Sequence, residues 1–159
     1  MIKLIKYLRP YVLLLLGSIA LLFLQANCDL ALPDYMADIV NTGVMSGNTD
    51  YIITAGVKMI AVALLGTAAA VTVGYLAAWI GAGVAHDLRS DVFKKVESFA
   101  HAEFDKFSTA SLITRTTNDI TQIQTVLIMM IRLVFYAPIM GVGGIVKAIR
   151  DSGSMTWII

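Results

Sequence analysis

The sequence predicts an all-α, multi-pass membrane helical bundle whose helices carry long cytoplasmic extensions. Three observations predict it. The chain is 58% hydrophobic and only 14% charged, with a mean hydropathy of +0.78, whereas soluble domains run near 45–50% and about 25%. The stretch Met59–His86 holds 28 residues with no formal charge and no proline, and about 20 apolar residues suffice to cross a bilayer. That stretch then passes without a helix breaker into a charged amphipathic segment ending near Phe107, so one helix must leave the membrane with a long polar tail.

The first span is placed at about residues 11–32. Lys3, Lys6 and Arg9 precede it, and Pro10 stands near its start, where a missing N–H does no harm. Pro33 follows it and marks its end. The first thirty residues imitate a signal peptide, but the small-residue cleavage pattern is poorly met and a longer span follows. Gln25, Asn27 and Asp29 lie in the outer half of this span. Gln25 and Asp29 share a face at i, i+4 and could line a polar cavity, but their depth favours a place at headgroup level or pairing with other helices. Residues 33–51 are rich in turn formers, contain Asp34, Asp38 and Asp50 without Lys or Arg, and read as an outer loop.

The second span is placed at about 51–86, with a cytoplasmic extension to 107. Lys58, two turns in, can snorkel to the outer interface. Gly66, Ala70, Gly74, Ala78 and Ala82 recur every four residues, a small-residue stripe that lets another helix approach closely. Beyond Asp87, Leu88, Val92, Val96 and Phe99 form an apolar stripe, and Asp91 precedes Lys95 at the i, i+4 spacing of an exposed ion pair. A helix over 51–107 would be roughly 80 Å long at about 1.5 Å per residue; the bilayer core takes about 30 Å of it.

Residues 108–119 break that helix. Ser108 or Thr109 can cap a short helix at about 108–116, and Asn118 or Asp119 can cap the next, with Gln122 completing a capping box after Asp119. The third span, about 119–149, returns along a seam of Ile120, Ile123, Leu127, Met130 and Val134. It is charge-free from Leu133 to Val146, with a kink expected at Pro138 and close packing or bending at Gly141, Gly143 and Gly144. Residues 150–153 read as a turn, and a fourth apolar helix begins at about 155, with Trp157 at interfacial depth. Three spans and an opening fourth lead us to expect a piece of a larger assembly.

Charge placement sets the topology. Lys/Arg excess marks the cytoplasmic side, which puts the N-terminus and 86–132 inside and 33–51 outside; Lys147 and Arg150 are the exceptions. A net charge of +1 gives no attraction to nucleic acid. The single cysteine, Cys28, permits no disulfide within the chain, and His86 and His101 have no Cys or close His partner, so no metal site is expected. Neither a Gly-x-x-x-x-Gly-Lys-Ser/Thr phosphate loop nor a Leu-Ser-Gly-Gly-Gln run occurs in the 159 residues. The chain alone is therefore read as no enzyme, with no catalytic, cofactor-binding or metal residues.

A short span, an acidic loop with Leu32-Pro33-Asp34-Tyr35-Met36-Ala37-Asp38-Ile39-Val40, a long stalked helix and a long return helix follow one another. Between the last two stands Phe-x-x-x-Ser-Thr-x-Ser-Leu-Ile-Thr-Arg-x-Thr-Asn-Asp from Phe104. The whole resembles the N-terminal half of the transmembrane domain of exporter-fold ABC transporters, in particular bacterial half-transporters with fused membrane and ATPase domains. The resemblance implies that Ser108, Thr109, Ala110, Ser111, Leu112, Ile113, Thr114 and Arg115 form a coupling helix resting on a nucleotide-binding domain. It implies ATP and Mg in that domain, a second transporter half (identical or different), and a multi-pass location in the inner cell membrane with a cytoplasmic N-terminus. Ala110 stands where the family usually has glycine. The residues that would touch a transported substrate are not assigned. The competing reading is a small multi-span scaffold or adaptor, in which 108–115 is only a capped turn that binds a soluble partner.

Overall fold

The computed structural model describes residues 6–98 and 114–151, and among them every element is helical, with no strand. A 3₁₀ turn at Arg9–Tyr11 leads into α1, Val12–Asp38. A π-type turn, Ile39–Val44, follows it. Helix α2 is Thr49–Glu97, and a second π-type turn, Arg115–Asp119, leads into α3, Ile120–Asp151. All three helices are long and apolar enough to cross a membrane. The all-α membrane fold follows from the composition as predicted.

The first correction concerns Pro33, which lies inside α1 and does not end it. A proline within a helix removes the bond to the carbonyl four residues back and crowds that turn. The carbonyl left without its backbone donor is that of Asp29; one residue on, Lys147 Nζ donates to the Leu30 carbonyl.

The outer loop expected over 33–51 accordingly shrinks to a reversal at Gly47 and Asn48. Gly47 takes φ +65°, a conformation that side chains disfavour. Its N–H bonds to the Val44 carbonyl at 3.2 Å, and that of Asn48 to the Gly43 carbonyl at 3.1 Å. These are the backward bonds that close a helix C-terminus. Asn48 then starts the next helix, its Oδ1 accepting the Tyr51 N–H at 3.1 Å, with Asp50 in the first turn. One dipeptide thus ends α1's extension and caps α2.

The start of α3 is the second correction. Thr114 precedes the π-type turn with no side-chain cap, and Asn118 and Asp119 lie inside that turn, so the capping box with Gln122 does not form. The seam also shifts. Ile120 and Ile131 are buried, whereas Met130 and Val134 face outward. After Leu127 the inward residues step by four, which follows a 3.6-residue turn more closely than a three-step.

Two compact units are built from parts of these helices. The first, Met1–Gly17 with Gly74–Arg132, has Ala77, Ile80, Val84 and Ile131 at its centre. Tyr11, Leu15, Leu88 and Ile128 pack around that centre. Close approach is required at Gly83, where an added Cβ would overlap the Tyr11 ring. The second unit, Ser18–Val73 with Leu133–Ile159, buries Ser18, Leu22, Ala26 and Cys28 of α1 and Gly66, Ala69 and Val73 of α2. At Gly66 a Cβ would stand 3.0 Å from Cys28 Cβ.

The outward faces suit lipid. Leu13 is 83% exposed, Leu133 72% and Trp79 60%, an apolar surface far beyond what a water-soluble monomer shows. Polar groups on these faces are satisfied within their own helix: Thr67 and Thr72 donate to the carbonyls of Ala63 and Ala68, each at 2.8 Å.

Candidate functional site

In sequence, the polar continuation of α2 leads toward the motif from Phe104. Helix α2 runs 49 residues without a proline, about 73 Å at 1.5 Å per residue. Its charge-free part ends at His86, and Asp87, Arg89, Asp91, Lys94, Lys95 and Glu97 follow within three turns. The last described residue, Ser98, donates its N–H to the Lys94 carbonyl at 3.2 Å and its hydroxyl to that of Lys95 at 2.7 Å.

Two polar ties brace this continuation. Tyr7 Oη donates to Asp91 Oδ2 at 2.6 Å. Arg89 Nη2 donates to Thr121 Oγ1 at 3.3 Å. The first joins the segment before α1 to α2, and the second joins α2 to the first turn of α3. Below them the apolar centre on Ile80, Val84 and Ile131 continues the same packing. Three chain segments are held side by side, as transmission of a rigid displacement requires.

Of the expected coupling residues, Ser108, Thr109, Ala110, Ser111, Leu112 and Ile113 lie outside the described residues. Thr114 is exposed at the end of the turn that opens α3, and the Arg115 backbone belongs to that turn. The expected extension to 107 and the fourth helix expected from about 155 also lie outside them.

The expected small-residue stripe is distributed unevenly. Gly66 is buried against Cys28, Ala70 and Gly74 are half-buried, and Ala78 and Ala82 are exposed. Nothing approaches within 4 Å of the place a Cβ would take on Gly74. The buried row on α2 runs one position behind, through Ala69, Val73, Ala77, Gly81 and Ala85. Gly81 and Gly83, both at close approaches, were the stronger sequence signal for packing.

A second polar group belongs to the other unit. Tyr136 Oη donates to Asp29 Oδ2 at 2.8 Å. Lys147 Nζ lies 2.7 Å from Asp34 Oδ2 and also donates to the Leu30 carbonyl. Asp29 therefore pairs with another helix, one of the options its position left open. Neither Tyr136 nor Lys147 stood out as a partner in the sequence, because each bond spans more than a hundred residues. Among the described residues no three His, Cys, Asp or Glu side chains gather as a metal set.

Comparison with known proteins adds the family. Residues 14–159 match the family described as ABC transporter transmembrane region. The chain is 36% identical over 154 residues to an uncharacterized ABC transporter ATP-binding protein of Mycobacterium tuberculosis, covering 97% of this chain and 26% of that protein. It is 33% identical over 147 residues to another, YfiB of Bacillus subtilis, covering 92% and 26%. It is also 28% identical over 121 residues to the ATP-dependent lipid A-core flippase 1 of Colwellia psychrerythraea, covering 76% and 20%. The chain thus spans about a quarter of the length of the first two relatives.

Proposed function

The chain belongs to the family of ABC transporter transmembrane regions, and on that premise we propose that it is part of the membrane domain of an ATP-driven exporter. In this reading the N-terminus and the polar continuation of α2 lie in the cytoplasm, and the Gly47–Asn48 reversal lies outside an inner cell membrane. Ser108–Arg115 seat on a nucleotide-binding domain that binds ATP and Mg, and a second transporter half completes the pathway. ATP hydrolysis belongs to that domain, and this chain carries the motion.

The observation that carries the reading is the unbroken length of α2. At about 1.5 Å per residue it outlasts a hydrocarbon core of about 30 Å by more than a factor of two. Tilt does not absorb that excess. A stiff helix, tied at Asp91 and Arg89 to its neighbours, is suited to move as one body when its far end is pushed. The charge pattern supports the orientation, and the ion pair of Lys147 with Asp34 balances one of the two cations that fall on the outer side. The name of the Colwellia relative places a lipid among the substrates of similar proteins; for this chain, amphiphilic lipids are the first class to test.

The experiment is ATPase and transport measured together in the intact protein carrying Leu112→Glu. Coupling through this segment predicts retained basal hydrolysis with loss of substrate stimulation and of transport. Unchanged stimulation would remove the segment from the mechanism.

A further inference from the structure

Between α1 and α3, within the second unit, lies an open groove of about 950 Å³. Phe23, Leu30, Ile139, Val142 and Val146 make its apolar walls, and Asp34, Lys147 and Arg150 stand at one end. Size alone puts it at the upper end of the range for small-molecule sites. The distribution of charge says more. Asp34 and Lys147 neutralise each other at 2.7 Å. Arg150 follows Lys147 at i, i+3, on the same helix face, and makes no ion pair among the described residues. Among the described lining residues the groove therefore has a long hydrocarbon-compatible wall and one net positive charge at its mouth.

We propose that this groove holds one anionic phospholipid, its phosphate at Arg150 and Lys147 and an acyl chain along Phe23, Leu30, Val142 and Val146. A free phosphate would use only the mouth; the apolar wall selects a ligand with a tail. The guanidinium fork suits phosphate oxygens. Lys147 is already fixed by Asp34 and the Leu30 carbonyl, so its ammonium is presented in a set position without further ordering. This inference goes beyond the transport reading and needs only that the helices span a bilayer.

The test uses the intact protein in phosphatidylcholine vesicles carrying a minor share of photoactivatable phosphatidylglycerol or, separately, photoactivatable phosphatidylcholine with the same tail. Adducts are mapped by peptide mass spectrometry. We expect about five-fold more labelling of the Phe23–Asp34 and Pro138–Arg150 peptides by phosphatidylglycerol, the factor one cation confers near an anionic headgroup. Arg150→Gln should bring the two lipids to parity. Val142→Trp should fill the groove and abolish labelling by both, with the charges untouched. Lys58→Gln, on an exposed face of α2, should leave the preference unchanged. Equal labelling by both lipids in the unaltered protein, absence of any labelling because another helix covers the groove, or a preference that survives Arg150→Gln would each overturn the proposal.

Discussion

The phenolic hydroxyl of Tyr7 donates to the carboxylate of Asp91 at 2.6 Å, across 84 residues of sequence. The bond fastens the segment before α1 to α2 a little over one turn beyond its last charge-free residue, His86. It is exposed, so its contribution to stability is small and its positional effect is the larger one. Tyr7→Phe should lower the stability of the detergent-solubilised protein by about 0.5–1 kcal/mol. Thermal scanning against Asp91→Asn and the double variant checks it. Non-additive losses are expected, because both changes remove the same bond.

The pair Asp34–Lys147 offers a charge-reversal test. Lys147→Asp places two carboxylates together and also strips the Leu30 carbonyl of its outside partner. Its loss should exceed that of Asp34→Ala, which leaves the Lys147–Leu30 bond in place. Because the pair is partly exposed, Asp34→Ala should cost about 1 kcal/mol or less. The double reversal, Asp34→Lys with Lys147→Asp, should recover part of the deficit. Unfolding midpoints of the four proteins in lipid nanodiscs would show the order.

Close packing makes a third prediction. Gly66→Leu forces a side chain onto Cys28, where a Cβ alone would already stand 3.0 Å away. Overpacking of this kind typically costs about 1–3 kcal/mol. Gly74→Ala meets nothing within 4 Å and should be neutral in this part of the protein. The yield of monodisperse protein from size-exclusion chromatography separates the two. If Gly74→Leu lowers assembly of the intact protein while Gly74→Ala does not, the stripe of Gly74, Ala78 and Ala82 packs against a helix outside this chain.

Much of this architecture was legible in the residues, and the misreadings have a common cause. The length of α2 and its passage from apolar to charged sequence are local properties, so Met59–His86 and the segment after Asp87 revealed them. The fate of Pro33 is not local. Alone it reads as a stop, yet the helix continues through it to Asp38, and Lys147 from the far end of α3 donates to the nearby Leu30 carbonyl. The reversal at Gly47–Asn48 was hidden among other turn formers, and only the φ of +65° at Gly47 distinguishes it. Small residues at four-residue steps marked α2 as a packing helix, but the step alone does not say which of two neighbouring rows faces α1 and α3. The buried row fell one position away, on Ala69, Val73, Ala77, Gly81 and Ala85.

Accessibility of α2 along its length is the decisive measurement. In a background with Cys28→Ala and no other cysteine, single reporters Asn48→Cys and Lys94→Cys are treated with a membrane-impermeant maleimide in intact cells and in inside-out vesicles. A helix that crosses the bilayer and continues into the cytoplasm predicts labelling of position 48 only in intact cells and of position 94 only in inside-out vesicles. Reaction of position 94 from the outside, or its protection in both preparations, would contradict a helix that carries force from the cytoplasm into the membrane.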